Sequence, residues 1–232
     1  EGSPGVSADG NIMSLINFSN LSDYCFYGLF KDCKSLTSAP ILPASAMRDR
    51  CYMYMFTNCS SLTVSPILPS ENLFNSCYAG MFQNTGIRVA PRLPATTLAD
   101  NCYSGMFSEC SFLKEAPELP AFATYFGCYG AMFFRCTSLR RAPLIDLKSF
   151  GTYSFAVRMF AGCTSLSYIK VCFEEPMLSS NPTEFRLMGW VSGVAPQGTF
   201  VCPKLCADKD TYSDFSNKTI PVGWTIDNDM SY

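Results

Sequence analysis

The sequence predicts an α/β solenoid of six similar coils, and three observations support this prediction. The first is a fixed period, because phenylalanines recur at intervals of 26, 26, 25, 26 and 27 residues, and repeats of this length are typical of solenoids. These anchors are Phe30, Phe56, Phe82, Phe107, Phe133 and Phe160. The second is an apolar segment leading into each anchor, and the third is a proline-containing segment after it. Each coil of about 26 residues is therefore expected to hold one short helix and one short strand.

The helix of each coil is predicted from the segment that contains its anchor. In the coil around residues 97 to 109, a wheel of about 100° per residue places Cys102 and Met106 on one half. Ser104 and Ser108 fall on the other half. The segment is therefore expected to be a short amphipathic helix that buries its sulfur-containing and aromatic side.

The strand of each coil is predicted from the residues after the helix. Between Leu113 and Pro120 the prolines fix φ and lack an amide, so the helix cannot continue and a strand of three to four residues is expected. Leu113, Ala116 and Leu119 are expected to point inward. One proline per coil should interrupt the parallel ladder; these are Pro40, Pro66, Pro91, Pro117 and Pro143. The stretch from Leu166 to Phe173 has no proline and should form the most regular strand.

Three regions are expected along the chain. Residues 1–20 are interpreted as an N-terminal leader and cap, with residues 1–11 mobile and a degraded first strand at 13–18. Residues 21–173 form the six-coil solenoid. Residues 174–232 form a C-terminal cap, with short strands near Thr199–Cys202 and Trp224–Ile226. A cap is expected because the last coil would otherwise expose its apolar face and an open strand edge.

Composition narrows the possible functions. The formal net charge of −2 gives no general attraction to nucleic acid or to an anionic membrane. No apolar run is long enough to span a bilayer, so no transmembrane segment is expected in this chain. The sequence has no histidine, which removes the commonest general base and the commonest metal ligand. We expect no enzyme activity, no catalytic residues, no metal site and no cofactor.

The thirteen cysteines are interpreted mainly as small buried apolar residues. On a helix, Cys102 and Cys110 would lie about 12 Å apart, too far for a disulfide, whose Cα atoms lie within about 7 Å. Cys51 and Cys77 would lie on neighbouring helices about 8–10 Å apart. The repeat cysteines are therefore expected to be free thiols. A bond between Cys202 and Cys206, or from either of them to Cys172, remains open.

The residues between the inward strand positions form columns that stacking would place on one face of the sheet. Arginines and a lysine recur there, and Glu115 and Glu118 interrupt them. The face is either an ordinary solvated surface or a binding face for a protein or an acidic glycan. The candidate binding residues are Arg88, Arg92, Lys114, Glu118, Arg140, Arg141 and Tyr168.

The repeat motif, M-F-x-x-C-x-S-L-x-x-A-P-x-L-P, resembles the BspA-like leucine-rich repeats of cell-surface proteins from anaerobic gut and oral bacteria. Met55-Phe56, Cys59, Leu62 and Pro66-Ile67-Leu68-Pro69 carry the resemblance, with matching sets at the other anchors. It covers about residues 21 to 173. Coil three departs from the motif, with Thr85 in place of cysteine, and coil six has Phe155 at the first cysteine position.

The resemblance implies a right-handed leucine-rich-repeat solenoid that is secreted or displayed on the bacterial cell surface. It implies adhesion or recognition of a host or microbial surface protein or glycan through the sheet face. The N-terminus, Glu1-Gly2-Ser3-Pro4-Gly5, contains no signal or anchor sequence, and the missing initiator methionine suggests a processed or truncated chain. The alternative is a structural spacer or display module within a larger surface protein.

Overall fold

The computed structural model describes residues 5–8, 22–42, 47–121, 125–147, 154–173, 187–204 and 220–229. Within these ranges the chain stacks as successive coils, and parallel pairing joins neighbouring coils. The strands are β1 (Val6–Ser7), β2 (Leu36–Ser38), β3 (Ile145–Leu147), β4 (Tyr168–Phe173), β5 (Thr199–Val201) and β6 (Thr225–Asp227). The architecture is therefore a solenoid-like repeat, as the period predicts.

All of the strand pairs are parallel. β1 pairs with β2, and the other four strands form one sheet in the order β3-β4-β5-β6. β4 is the longest of the six, at six residues, which confirms the prediction made from its lack of proline. β5 and β6 confirm the two short strands predicted for the C-terminal region.

At the N-terminus, β1 lies within the segment interpreted as a leader. Val6 lies opposite Leu36 and Ser7 opposite Ser38, and Ser7 and Ser38 also share a hydrogen bond between their hydroxyls, so these two residues extend the stack by one strand. The strand predicted at residues 13–18 lies outside the described residues.

The helix prediction is wrong, and so is the α/β class. Across the described part of residues 22–173, no segment is an α-helix; each predicted helix is a ribbon of consecutive turns. In the first ribbon, the amide of Leu29 donates to the carbonyl of Phe26, three residues back, at 3.3 Å. The amides of Phe26 and Gly28 instead donate to Cys51 (2.9 Å) and Met53 (3.0 Å) in the next coil. Amides thus alternate between closing a turn and joining two coils.

A left-handed backbone conformation recurs every fourth residue of these ribbons, with φ between 52° and 64° in the first four coils. The residues concerned are Tyr24, Gly28, Asp32, Arg50, Tyr54, Asn58, Ser76, Gly80, Asn84, Asn101, Gly105 and Glu109. An α-helix requires negative φ throughout, so these positions exclude it. A period of four also keeps Cys102, Met106 and Cys110 on one side, which is why the wheel placed them together.

The core consists of columns of like side chains that run along the stack. The six anchor phenylalanines stack with centroids 5.5–5.8 Å apart and planes within 10° of parallel. Packed helices would lie about 8–10 Å apart, so this ring spacing fits coils that hydrogen-bond to each other directly. The last ring, Phe160, meets the fully buried Trp190 at 5.8 Å, and the C-terminal segment therefore closes the aromatic column.

Cysteine thiols run beside the phenylalanines and act as hydrogen-bond donors. Cys59 donates to the carbonyl of Phe30 at 3.0 Å, and Cys163 donates to that of Phe133 at 2.9 Å. Burial raises the pKa of both thiols to about 12, so they stay protonated near neutral pH. In coil three the buried Thr85 replaces the cysteine, and its hydroxyl donates within its own coil to the carbonyl of Phe82 at 2.9 Å, rather than to the preceding coil.

The twelve cysteines among the described residues are free thiols; Cys206 lies outside them. The spacing argument used to predict this for Cys51 and Cys77 is wrong. The amide of Tyr52 donates to the carbonyl of Cys77 at 3.0 Å, so the backbones of the two coils lie at strand-like spacing, about 4.8 Å. The thiols of Cys51 and Cys77 are buried and protonated. They are therefore unreactive, because the thiolate is the reactive form.

On the outside of the ribbons, Asx side chains reinforce the stack. Asp49 accepts the amide of Asn75 at 3.0 Å, Asn75 accepts that of Asp100 at 3.3 Å, and Asp100 accepts that of Phe126 at 3.1 Å. Each carboxylate or amide oxygen therefore satisfies a backbone donor that begins the next turn ribbon.

Candidate functional site

After each turn ribbon the chain enters the proline-containing segment, whose outward side chains lie on one face of the stack. Pairing there is sparse, with single parallel bridges between Val89 and Glu115 and between Arg141 and Tyr168. We call this surface the strand face. Its residues are Thr37, Ser38, Ile41, Thr63, Val64, Ile67, Arg88, Val89, Arg92, Lys114, Glu115, Glu118, Arg140, Arg141, Leu144, Ser167 and Tyr168.

The strand face alternates with inward anchors along the chain. Leu113 and Leu139 are fully buried, and the residues that follow them, Lys114 and Arg140, are exposed. Six of the seven candidate binding residues are exposed, and the seventh, Tyr168, is half-buried. The sequence therefore assigned the direction of these side chains correctly, although it assigned the wrong structure to the segment that supports them.

Backbone hydrogen bonds hold the columns of the strand face side by side. The amide of Lys114 donates to the carbonyl of Arg88 at 3.1 Å, and the amide of Ser167 donates to that of Arg140 at 3.1 Å. Each cation therefore has a neighbour at the same position of the adjacent coil, about one strand spacing away.

Several charged residues of the strand face line a surface depression of about 680 Å³, which is formed by coils four and five together with Ser165 of coil six. We call it the basic groove; it is lined by Lys114, Glu115, Ala116, Ser138, Arg140, Arg141, Ala142 and Ser165. Three cations and one carboxylate leave a formal charge of +2 (3 − 1) in this groove. Donors with an excess of positive charge make the groove suited to carboxylate or sulfate groups.

Arg141 is held in place by the aromatic ring of Tyr168. The guanidinium carbon lies 3.8 Å from the ring centroid, which is a close cation–π contact. Because the two residues also pair through their backbones, the ring and the guanidinium are fixed on adjacent coils. Tyr168 therefore orients Arg141 at the edge of the basic groove.

The cations of the strand face have no carboxylate partner among the described residues. Arg135 and Glu109 form an ion pair at 4.0 Å, but they lie on the turn ribbons. Arg88 lies over the exposed ring of Phe112, 5.9 Å from its centroid. Unpaired arginines at fixed positions keep their forked donors available for an anionic partner.

The other candidate residues lie apart from the basic groove. Arg92 lines a second depression of about 410 Å³, which we call the proline groove because Pro66, Pro69, Pro91 and Pro94 surround it together with Ile67. Glu118 lines neither depression. The structure therefore brings together Lys114, Arg140, Arg141 and Tyr168. It places Arg88 on the coil next to Lys114, outside the lining of the basic groove, and it leaves Arg92 and Glu118 elsewhere on the same face.

Two hydroxyl groups of the basic groove were missed from the sequence. Ser138 and Ser165 each directly precede a fully buried leucine, Leu139 and Leu166, within the repeated S-L element. From the sequence, this S-L element was interpreted only as a part of the repeat. Its position immediately before an inward anchor was the available signal that the serine lies at the edge of the strand face.

The described part of the chain offers no metal site and no membrane-spanning helix. There, no group of three or more Cys, Asp or Glu residues is arranged to hold a metal ion. No helix in the described ranges is both long enough and apolar enough to cross a membrane. Comparison of the chain with protein-family models, curated proteins and solved structures finds no match.

Proposed function

We propose that this chain is the binding part of a secreted or cell-surface protein, and that it recognises an acidic protein or glycan through the strand face. The observation that carries the proposal is the set of cations on this face that have no carboxylate partner in the described part of the chain, three of which line the basic groove. The motif similarity to BspA-like repeats supports a role in adhesion at a host or microbial surface. The binding requires no catalytic step and no cofactor.

The contrast between core and surface columns supports binding over a purely structural role. The anchor column holds phenylalanine in all six coils, whereas one strand-face column changes from Thr37 and Thr63 to Arg88, Lys114 and Arg140. Stacking alone places no demand on exposed positions, which tolerate most residues. Several cations in successive coils are therefore better explained by a partner than by the stack.

The proposal is tested by removing the arginines of the strand face. The variant carries Arg88→Gln, Arg92→Gln, Arg140→Gln and Arg141→Gln, and binding is measured on immobilised heparin and on host epithelial cells. Arginine contacts with anions are among the dominant contributions at interfaces, so we expect at least a tenfold loss of affinity. Raising the salt concentration should weaken wild-type binding in the same direction.

A matched control neutralises four arginines outside the strand face. Arg48, Arg50, Arg135 and Arg158 lie on or beside the turn ribbons, and the same change to glutamine removes the same formal charge. This control should keep most of the wild-type affinity. Equal losses in both variants would indicate a nonspecific charge effect and would contradict the proposal.

The alternative is a spacer that holds another domain away from the cell. The continuous aromatic column and the inter-coil hydrogen bonds favour it, because they make the stack a rigid rod. A spacer requires no ligand on the strand face. Wild-type protein that binds neither heparin nor host cells would favour the spacer.

A further inference from the structure

The strand face changes its chemistry along the stack. In coils one to three, four aliphatic side chains on it are largely exposed: Ile41 (65%), Val64 (71%), Ile67 (83%) and Val89 (61%). In coils four and five the corresponding region holds the basic groove. Exposed aliphatic residues that cluster on one surface commonly mark a contact with another protein.

The two halves belong to one continuous surface. Val89 of coil three pairs directly with Glu115 of coil four, which lines the basic groove. Ile67 lies in the proline groove beside Arg92, so an aliphatic side chain and a cation also share the coil two to coil three boundary. A ligand that lies along the stack from coil one to coil six would cross about 24 Å, at about 4.8 Å per coil.

We propose that the occupant of this surface is an extended segment of another protein, with aliphatic residues at one end and carboxylate residues at the other. This inference rests on the proposed function and specifies the chemistry of its partner. An extended chain rises about 3.3 Å per residue, so a segment of about seven or eight residues spans the six coils. Its carboxylates would meet Lys114, Arg140 and Arg141, and its aliphatic side chains would meet Val64, Ile67 and Val89.

A uniformly charged polysaccharide fits this surface less well. It carries its anionic groups along its whole length, so some of them would lie against the aliphatic half. Removing a charge from water without a partner is unfavourable. A polypeptide changes side-chain class from one residue to the next and can match both halves.

The test uses two pools of labelled twelve-residue peptides and heparin. The block pool has four positions randomised over Val, Ile and Leu at one end and four randomised over Asp and Glu at the other, joined by Gly and Ser. The mixed pool has the same composition with the two classes alternating. Heparin serves as the uniformly anionic probe.

Three variants separate the contributions of the two halves. The apolar variant is Val64→Ser with Ile67→Ser, and the basic variant is Arg140→Gln with Arg141→Gln. The control variant changes two exposed apolar residues outside the strand face, Met188→Ser and Val222→Ser. Circular dichroism first shows that each variant is fully folded at the temperature of the binding assay.

We expect wild-type protein to bind the block pool at least tenfold more tightly than the mixed pool. The apolar and basic variants should each weaken block-pool binding at least tenfold, and the control variant should not. Heparin binding should fall only in the basic variant. This pattern supports both the inference and the proposed function.

Two other outcomes overturn the inference in distinguishable ways. If heparin binds through the arginines while the block pool shows no preference or is insensitive to the apolar variant, the partner is a uniform anion, and the proposed function survives without the inference. If neither peptides nor heparin bind to the wild-type strand face, the proposed function fails as well.

Discussion

The turn ribbons and the strand face are built from the same repeat, but they differ in the interactions that join neighbouring coils. In the ribbons, every second amide bonds to the next coil and the anchor rings stack in a continuous column. On the strand face, prolines leave only single bridges between the middle coils. The anchor column holds phenylalanine in all six coils, whereas residue type changes along the exposed face. The ribbons therefore contribute most of the stability, and residue type on the strand face is less constrained by the stack.

The largest effect that we expect from this contrast is a fall in the free energy of unfolding at alkaline pH. Burial raises the pKa of Cys51, Cys102 and Cys163 from 9.0 to about 12. Below pH 9 both states keep these protons, so the stability is fully present. Between pH 9 and 12 the unfolded chain loses protons that the folded chain retains, and the free energy of unfolding falls by about 1.4 kcal/mol per pH unit for each thiol. Urea unfolding measured from pH 7 to 11 checks this.

A threonine substitution provides the control for the alkaline effect. Cys163→Thr places at this position the residue type that coil three uses as Thr85, a buried side chain whose hydroxyl donates to the phenylalanine carbonyl of its own coil. The variant should reduce the slope above pH 9 by about 1.4 kcal/mol per pH unit, because one shifted thiol is removed. A stability that is flat between pH 8 and 11 in the wild-type protein would contradict the role assigned to the thiols.

The next largest effect is expected from the aromatic column. Phe107 is fully buried between the rings of Phe82 and Phe133, at 5.8 and 5.6 Å. Phe107→Ala should lower the free energy of unfolding by about 3–5 kcal/mol, because it leaves a cavity in the middle of the stack. Ser104→Ala, on the other side of the same ribbon, should lower it by only about 0.5–1.5 kcal/mol, because it removes one hydrogen bond, from the Ser104 hydroxyl to the carbonyl of Gly130 at 3.3 Å. Equal shifts in chemical denaturation would show that the ribbon's inner and outer sides are misassigned.

A smaller difference in stability is expected between alanine substitutions at two glycines that share a left-handed conformation. Gly80 and Gly105 both have φ +60°, so alanine at either position should cost about 1–2 kcal/mol. A Cβ at Gly80 would also collide with the ring of Tyr54, whereas at Gly105 the nearest such atom is 4.0 Å away. Gly80→Ala should therefore be the more destabilising of the two in thermal or urea unfolding.

The collision can be tested separately from the backbone. Combining Gly80→Ala with Tyr54→Ala removes the ring, so the two changes should be less destabilising together than the sum of the single changes. If the two changes in the free energy of unfolding were strictly additive, the Tyr54 ring would be moving away at no cost in stability and would not pack on the next coil.

The smallest effect is expected on the strand face. Arg140→Gln should leave the free energy of unfolding within about 0.5 kcal/mol of wild type, because the side chain is exposed. Arg141→Gln should lower it by about 0.5–1 kcal/mol, because it removes the contact with the Tyr168 ring. A larger loss for Arg140 than for Arg141 in matched unfolding curves would argue against the cation–π contact.

Much of the candidate site was accessible from the sequence. The alternation of inward anchors such as Leu113 and Leu139 with outward neighbours such as Lys114 and Arg140 follows from the repeat itself. The basic groove, with its lining serines and the stacking of Arg141 on Tyr168, was not accessible. These features form between coils, and the distance between residues about 26 positions apart depends on how closely the coils approach.

The sequence by itself determined the period, the buried columns, the interrupted strands and the direction of the exposed residues, because each depends on side-chain class at a fixed spacing. Only the tertiary structure decided the backbone between them. A spacing of four residues fits an α-helix and a turn ribbon almost equally well, so Cys102 and Met106 share a side in both. The choice was made by hydrogen bonds such as that from Tyr52 to Cys77, whose acceptor lies in the next coil. The pattern of residues within one coil carries no information about a hydrogen-bond acceptor that lies in the next coil.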